Sequence, residues 1–232
     1  MKVAILGYGA MGRLIEAVAV SRRHEIGVIV DDKDANLTAA ELSDKLKGCD
    51  AAIDFTVASA VERNVEACMR AGVALALGTT GWNEKRAVIE QIVAENGGSL
   101  VFGANFSIGV NLFYKIAEYA AEFFSKFPEY EVFIEEQHHS RKLDSPSGTA
   151  LKIKSVVEKH IEKDINVAAT RAGNIPGTHR VGFDAAADQI LLEHTARTRE
   201  GFASGAVLAA EWIVGKTGFH EFTDVIDEVL RK

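Results

Sequence analysis

Residues 2–12 read KVAILGYGAMG, and this stretch decides the fold class of the chain. Lys2 to Leu6 is a short, mostly apolar run of strand length, and a helical pattern of apolar residues begins after Gly12. The glycines between them satisfy the pattern G-x-G-x-x-G directly after a predicted strand and at the opening of a helix. That context is what makes the pattern informative. The stretch therefore predicts a strand, a glycine turn and a helix, as at the start of a dinucleotide-binding domain.

Each position of this turn has an expected role in holding a dinucleotide. Gly7 permits the tight turn, Gly9 lets the backbone approach the pyrophosphate, and Gly12 lets helix and strand pack closely. Ala10 and Met11 complete the predicted cofactor-binding loop. A helix start with incidental glycines is the alternative interpretation.

The choice between NADH and NADPH depends on the end of the second predicted strand. Asp31 lies there, 19 positions after Gly12, where a carboxylate accepts hydrogen bonds from the adenosine ribose hydroxyls. Asp32 offers the same group one residue later. Asp31 favours NADH, while Lys33 keeps NADPH open because an ammonium group pairs with a 2′-phosphate. A solvated turn explains each of these residues equally well.

Short apolar runs alternate with helical stretches through the rest of the first half, which is typical of a parallel sheet covered on both faces. The runs are 26–30, 51–53, 73–77 and 100–102, and the helical stretches include 58–70 and 83–95. Two of these strands end in small residues, where open α/β sheets bind ligands. The predicted contacts to the nicotinamide carboxamide are Gly78, Thr79, Thr80, Gly103, Ala104, Asn105 and Phe106.

The pattern changes after about Asn105. The predicted order is a helix at 108–125, a strand, a helix at 148–161, strands at 166–171, 179–184 and 189–197, then helices at 201–214 and 219–230. The fold class is α/β, with an N-terminal Rossmann-type parallel-sheet domain and an α+β C-terminal domain that contains a mixed sheet. Residues 1–106 and 201–232 form the dinucleotide-binding domain, and residues 107–200 form the substrate-binding and oligomerisation domain. The first of these helices is predicted to bury the stripe Leu112, Phe113, Ile116, Tyr119 and Phe123.

Residues 136–150 read EQHHSRKLDSPSGTA and carry four potentially cationic side chains within five positions. The unperturbed pKa of histidine lies near neutrality, so His138 or His139 can donate a proton. Lys142 adds a compact positive charge. Ser147 is the expected N-cap of the next helix, so the N–H groups of Gly148 and Thr149 face an anion. A basic surface loop is the plain alternative. No metal site is expected, because adjacent histidines diverge.

Composition excludes several classes of function. The net charge of −7 argues against a nucleic-acid binder, and no apolar run approaches the ~20 residues of a membrane helix. Cys49 and Cys68 have no paired spacing, which indicates reduced thiols. We therefore expect a cytoplasmic protein.

Arg171 and Arg199 are interpreted either as ligands of an anionic group or as partners in surface salt bridges. Surface or core roles are expected for His24, His160, His179, His194 and His220.

Taken together, these segments resemble the 4-hydroxy-tetrahydrodipicolinate reductases, also called dihydrodipicolinate reductases, over nearly the whole chain. The motifs that carry the resemblance are Asp54-Phe55-Thr56, residues 78–81, residues 104–107, His138-His139 through Lys142, residues 144–150, and Arg199 with residues 202–206.

The resemblance implies a function and a set of roles. The reaction is the NAD(P)H-dependent reduction of a cyclic imine dicarboxylate, in lysine and diaminopimelate biosynthesis. His138 is the implied proton donor, Lys142 the second catalytic residue, and His139, Gly148 and Thr149 the contacts to substrate carboxylates. The implied cofactor contacts lie in the glycine loop, at Asp31 and at the two strand ends named above. A homotetramer assembled through the C-terminal sheet is also implied, with the strand at 189–197 as an interface element.

Two other functions stay open at this stage. One is a two-domain dehydrogenase acting on an amino or imino dicarboxylate, which has no use for the run from His138 to Lys142. The other is a nicotinamide-binding regulator without turnover, which needs a partner surface or a DNA-binding module.

Overall fold

The structure is a computed structural model and describes residues 1–231. Contacts divide the chain into two units. The first contains Met1–Ile108 and the segment that starts at Arg199, and the second contains Gly109–Thr198. The chain therefore leaves the first unit for about ninety residues and returns to it.

The first unit is built on a six-stranded sheet in which every pairing is parallel. Its strands are β1 (Lys2–Leu6), β2 (Glu25–Val30), β3 (Ala51–Asp54), β4 (Ala74–Leu77), β5 (Ser99–Phe102) and β10 (Gly218–Glu221). They lie in the order β10-β5-β4-β3-β1-β2. The central strands β3 and β4 are buried at every position, as expected for a parallel sheet covered on both faces.

Helices cover this sheet. They are α1 (Ala10–Ser21), α2 (Ala39–Leu46), α3 (Val61–Ala71), α4 (Arg86–Glu95), α7 (Glu200–Ile213) and α8 (Phe222–Arg231). Helix α2 begins with a capping box, in which Thr38 and Glu41 satisfy each other's backbone N–H groups. Helix α7 packs against α1, β3 and β4, which explains why the returning segment belongs to this unit.

The second unit contains α5 (Ile108–Phe124), α6 (Gly148–Val157) and a four-stranded sheet. The strands are β6 (Glu131–His138), β7 (Val167–Arg171), β8 (Thr178–Asp184) and β9 (Gln189–Thr195), in the order β7-β6-β8-β9. Strands β6 and β7 are parallel and the other two pairings are antiparallel. The fold class predicted from the sequence, a Rossmann-type parallel sheet followed by a mixed-sheet α+β domain, is confirmed.

One face of the mixed sheet carries the core of the second unit. Ile134, Val181 and Phe183 point to this face, where Phe113 and Ile153 from the helices pack with them. Strand β6 buries every second residue near its end, so Ile134, Glu136 and His138 share the covered face. This alternation places an acidic and a basic side chain inside the unit.

Three predictions about helices were wrong. Ile116, Tyr119 and Phe123 are more than half exposed, because α5 turns Phe113, Tyr114, Ala117 and Ala121 toward the sheet instead. Residues 219–221 lie in β10 and pair with β5, so the last helix starts later than predicted. Helix α6 ends at Val157 rather than at residue 161.

Cys49 and Cys68 are both free and buried in the core of the first unit. Within residues 1–231, no helix combines the length and the apolar character that crossing a bilayer requires.

Candidate active site

His138 is the last residue of β6 and is almost fully buried, with 7% of its surface exposed. Its Nδ1 lies 3.2 Å from Oε2 of Glu136, two residues earlier on the same face of the strand. Burial lowers the pKa of His138, the Glu136 carboxylate raises it, and the cations Lys142 and Arg171 lower it further. The His138 imidazole is therefore held between a buried carboxylate and a cluster of positive charge.

Glu136 has no exposed side-chain surface, and its two oxygens face different partners. Oε1 accepts a hydrogen bond from the backbone N–H of Ser147 at 2.8 Å and another from Nη2 of Arg171 at 2.7 Å. Oε2 faces His138 and also lies 3.7 Å from Nε2 of His179 on β8. One carboxylate thus connects β6, β7, β8 and the start of α6.

His179 is also buried, and burial lowers its pKa to about 4. Its Nε2 lies 3.3 Å from the hydroxyl oxygen of Ser147. His179 sits opposite Glu136 in the β6–β8 register, and its ring is 5.0 Å from that of His138. It is a neutral polar neighbour of His138 at ordinary pH.

Three donor atoms of Glu136, His138 and His179 lie within 4.8 Å of one another, as the ligands of a metal ion would. The Arg171 guanidinium already pairs with the only acid in the group, and Lys142 adds a second positive charge that acts on both histidines. A further cation would be repelled by these two charges. The chemistry of the cluster fits a hydrogen-bonding network, and we assign no metal to it.

The other predicted substrate residues lie close in sequence around α6. Ser147 is the N-cap of this helix, as the sequence predicts, and its hydroxyl accepts from the N–H of Ala150. Lys142 pairs with Asp144 at 2.7 Å, and hydrogen bonds from Lys142 lower the pKa of that carboxyl, with a smaller contribution from the Gly148 backbone. Asp144 thus occupies the implied second catalytic residue, Lys142, and one of the implied carboxylate contacts, Gly148.

His139 and Thr149 differ in their surroundings. His139 follows the end of β6 and is partly exposed, whereas its neighbour His138 is buried. Thr149 hydrogen-bonds with the phenol of Tyr114, whose pKa burial raises to about 12. Of the two adjacent histidines, only His138 points into the Glu136 network.

The glycine loop of the first unit combines close backbone packing at Gly7 and Gly12 with open space at Gly9. Gly7 has a φ of +89°, and a Cβ there would lie 2.5 Å from the carbonyl oxygen of Phe55. A Cβ at Gly12 would lie 2.2 Å from the carbonyl oxygen of Gly7, whereas a Cβ at Gly9 would meet no atom within 4 Å. Gly9 is the N-cap of α1 and offers no side-chain cap, so the first N–H groups at Ala10 and Met11 are available to an anion.

Asp31 follows β2 directly and caps a short 3₁₀ turn at Asp32–Asp34. Its Oδ1 accepts from the backbone N–H of Lys33 at 3.1 Å, and its Oδ2 lies 3.4 Å from the Lys33 ammonium group. The carboxylate remains partly exposed at the strand end.

The loop after β4 is fixed by hydrogen bonds to buried side chains. Thr79 is buried and bonded to Asp54, while Thr80 is exposed. The indole N–H of Trp82 donates to the carbonyl of Thr79 at 2.7 Å, so Trp82 anchors the loop.

The loop after β5 divides into exposed and buried parts. Ala104 is exposed, and the Asn105 side chain accepts from the N–H of Ser107 at 2.8 Å. Gly103 donates its N–H to Leu77, which joins the two strand-end loops. Phe106 is buried, and its ring packs against Phe222 in the core, so its side chain does not face a ligand.

Sequence reasoning missed Glu136, Arg171 and His179 as members of one cluster. Glu136 carries a local signal, because it precedes His138 by two positions on a strand. Arg171 was interpreted as a surface salt bridge or an anion ligand, but it pairs with a buried carboxylate. Arg199 is exposed and lies at the N-cap of α7 in the first unit.

Both halves of the chain match models of a known protein family. Residues 1–106 match the dihydrodipicolinate reductase N-terminus, and residues 109–226 match the dihydrodipicolinate reductase C-terminus. The 4-hydroxy-tetrahydrodipicolinate reductase of Christiangramia forsetii is 36% identical over 243 aligned residues, which cover both chains completely. The enzyme of the same name from Archaeoglobus fulgidus is 37% identical over 261 residues, covering 98% of this chain and all of the relative.

Solved structures agree at the level of the fold. A dipicolinate-bound dihydrodipicolinate reductase from Paenisporosarcina sp. TG-14 is similar with a TM-score of 0.79 at 23% identity, covering 95% of this chain and 97% of that one. An amine dehydrogenase from Mycobacterium smegmatis is similar with a TM-score of 0.65 at 7% identity, covering 97% of this chain and 95% of that one. The family models and the full-length relatives together show that this chain belongs to the dihydrodipicolinate reductase family.

Proposed function

We propose that this protein reduces 4-hydroxy-tetrahydrodipicolinate to tetrahydrodipicolinate with NADH or NADPH and releases water, in lysine and diaminopimelate biosynthesis. Full-length relatives of this name support the proposal. The observation that carries it is the position of His138, a buried imidazole beside a carboxylate at the end of β6.

The second unit supplies the acid and the anion-binding groups. The reaction adds one hydride and one proton to the substrate and releases one water, so the ring needs a proton donor. When bound, the reduced nicotinamide supplies the hydride to the ring carbon that carries the hydroxyl group. His138 returns the proton to the ring enamine. Lys142, His139 and the N–H groups of Gly148 and Thr149 hold the two carboxylates, which requires Asp144 to give up its bond to Lys142.

The first unit supplies the cofactor site. Open space at Gly9 and the uncapped start of α1 fit a pyrophosphate. The strand-end residues Gly78 to Thr80 and Gly103 to Phe106 fit the nicotinamide end. Asp31 favours NADH, because its carboxylate accepts from ribose hydroxyls and repels a 2′-phosphate.

We also propose a homotetramer assembled through the sheet of the second unit. Strand β9 lies at the edge of that sheet, and Ile190 and Leu191 are more than 40% exposed. An exposed apolar edge strand is a surface that soluble proteins usually cover. Size-exclusion chromatography coupled to light scattering measures the molar mass in solution, and the mass of a monomer at working concentration would contradict the tetramer.

The experiment for the activity follows NADH absorbance with cyclic imine freshly generated from aspartate semialdehyde and pyruvate. We expect NADH oxidation that depends on the imine. Activity only with an amino acid and NAD⁺ would instead indicate an amino-dicarboxylate dehydrogenase. Cofactor binding without turnover of either kind would indicate a sensor.

A further inference from the structure

The Glu136 carboxylate is the most connected buried charge in the second unit. It is fully enclosed, and two N–H donors, from Ser147 and Arg171, occupy Oε1. Burial raises the pKa of Glu136, but those hydrogen bonds outweigh burial and leave the pKa below its ordinary value. Glu136 is therefore an anion at neutral pH, and Oε2 is the oxygen that it presents to His138.

Oε2 makes no hydrogen bond in this structure, and neither does Nδ1 of His138, 3.2 Å away. A buried carboxylate oxygen without a donor is costly, and so is a buried ring nitrogen without a partner. A small rotation of either group joins them in one charge-assisted hydrogen bond.

The opposite nitrogen of the ring has different surroundings. Nε2 of His138 faces Gly177, and a Cβ added there would lie 3.2 Å from Nε2 and 3.3 Å from Cδ2. Gly177 has a φ of +132°, a conformation that side-chain-bearing residues rarely adopt. The backbone thus approaches the Nε2 edge without a side chain that would cover it.

We propose that Glu136 is a positioning residue that fixes the proton of neutral His138 on Nδ1 and leaves Nε2 as the nitrogen that transfers a proton to the substrate. This inference rests on the proposed role of His138 as the acid. The step balances, because imidazolium Nε2–H gives its proton to the enamine carbon and the ring becomes the neutral Nδ1–H form. The proton is then replaced from solvent.

The charged and titratable groups around His138 come from three strands and one loop. Lys142 and Asp144 face it from the loop, Arg171 from β7, His179 from β8 and Glu136 from its own strand. Burial and the two cations disfavour the imidazolium, while Glu136 provides the larger of the two opposing effects. Loss of the Glu136 charge would therefore destabilise the imidazolium form of His138, which is the form that acts as the acid.

The first test is the pH profile of kcat in Glu136→Gln, which keeps the shape of the side chain and removes its charge. His138 must be protonated to act, so turnover falls as pH rises through its pKa. We expect the basic limb of the kcat profile to move to lower pH, so that kcat at pH 8 falls by roughly 100-fold. Glu136→Asp, which keeps the charge, should retain the wild-type limb. Glu135→Gln is the matched control, because Glu135 pairs with Arg180.

A purely structural role predicts a loss of kcat that is equal at every pH, and that result would overturn the proposal. The second test does not depend on a Glu136 variant. Nitrogen NMR of the wild-type protein, assigned with His138→Gln, reads the tautomer of neutral His138 directly. We expect a proton on Nδ1, and a proton on Nε2 would overturn the proposal. This readout does not depend on turnover, so failure of the reductase assay and failure of the positioning role are distinguishable.

Discussion

The carboxylate of Asp54 accepts a hydrogen bond from the hydroxyl of Thr79 at 2.9 Å, although the two residues are 25 positions apart. They lie at the ends of the neighbouring strands β3 and β4. The same carboxylate accepts from the N–H and the hydroxyl of Thr56 and from the amide of Asn64. Asp54 is completely buried, so it fixes two strand-end loops that we assign to the cofactor site.

Replacement of Asp54 with Asn should destabilise the protein by roughly 2–3 kcal/mol, because an amide turns one acceptor into a donor among buried donors. The KM for NADH should rise as the loops loosen. Urea unfolding and steady-state kinetics measure both effects. Asp44→Asn, an exposed residue paired with Lys47, is the control and should cost at most about 0.5 kcal/mol. Equal stability of the two variants would contradict the role of Asp54.

An added methyl group should have different effects at Gly9 and at Gly12, so the two alanine variants form a matched pair. Gly12→Ala should destabilise the fold by about 1–3 kcal/mol, because its Cβ would overlap the carbonyl of Gly7. Gly9→Ala should keep the wild-type Tm, because its Cβ meets open space, but it should weaken NADH binding at the pyrophosphate. Thermal melts and fluorescence titration with NADH separate the two effects. Wild-type NADH affinity in Gly9→Ala would argue against a pyrophosphate at that place.

His138→Gln should lower kcat by roughly 100- to 10,000-fold, which is the usual contribution of a general acid. NADH binding should not change, because the groups assigned to the cofactor are the glycine loop, Asp31 and the strand-end loops, and His138 is in none of them. Stopped assays give kcat, and fluorescence titration gives the Kd for NADH. His160→Gln is the control outside the network. Unchanged turnover in His138→Gln would remove this residue from the mechanism.

Asp31→Ala should reduce kcat/KM for NADH by about 10- to 100-fold, since hydrogen bonds to a charged group contribute about 1.5–3 kcal/mol. Lys33, now without its partner, should improve the use of NADPH. Parallel assays with both cofactors measure the ratio. The neighbouring change Asp32→Ala should leave the ratio near its original value, and a larger effect there would move the ribose contact to Asp32.

His179 should make the protein less stable in mild acid. Its pKa is about 4 in the folded state and about 6.5 in the unfolded chain, so only the unfolded chain binds its proton between these values. Stability is therefore unaffected above pH 6.5 and falls as pH decreases toward 4, by about 3 kcal/mol in total. Urea unfolding from pH 7 to 4.5 measures the slope, and His179→Gln should have a shallower one. Equal slopes of stability against pH in the wild type and in His179→Gln would contradict a buried, neutral His179.

The sequence predicted features that depend on local pattern. The alternation of apolar runs and helices gave the parallel sheet, and Ser147 gave the start of α6. The pattern failed at residues 219–221, because the short segment Phe219-His220-Glu221 has no periodicity that separates helix from strand, and the pairing with β5 decides between them. The exposed face of α5 was also mispredicted, because aromatic residues lie on two of its faces.

The site shows the same division between local and long-range information. His138, Lys142 and Ser147 lie within one short run and were identified together. Arg171 and His179 join them only because β6 pairs His138 with Arg171 and Glu136 with His179. Register between strands distant in sequence depends on the whole sheet, so the local pattern of either strand does not reveal which residues become neighbours.

The return of the chain to its first unit constrains how the protein is made. Helix α7 packs on β3 and β4, and β10 supplies the sixth strand, so the nucleotide-binding sheet lacks these parts until the ribosome has released residues beyond about 220. During synthesis, residues 1–108 have β5 unpaired at the sheet edge and β3 and β4 without α7, while the second unit, a continuous segment, is free to fold first. We therefore expect nascent chains stalled before residue 199 to need chaperone protection of the N-terminal half.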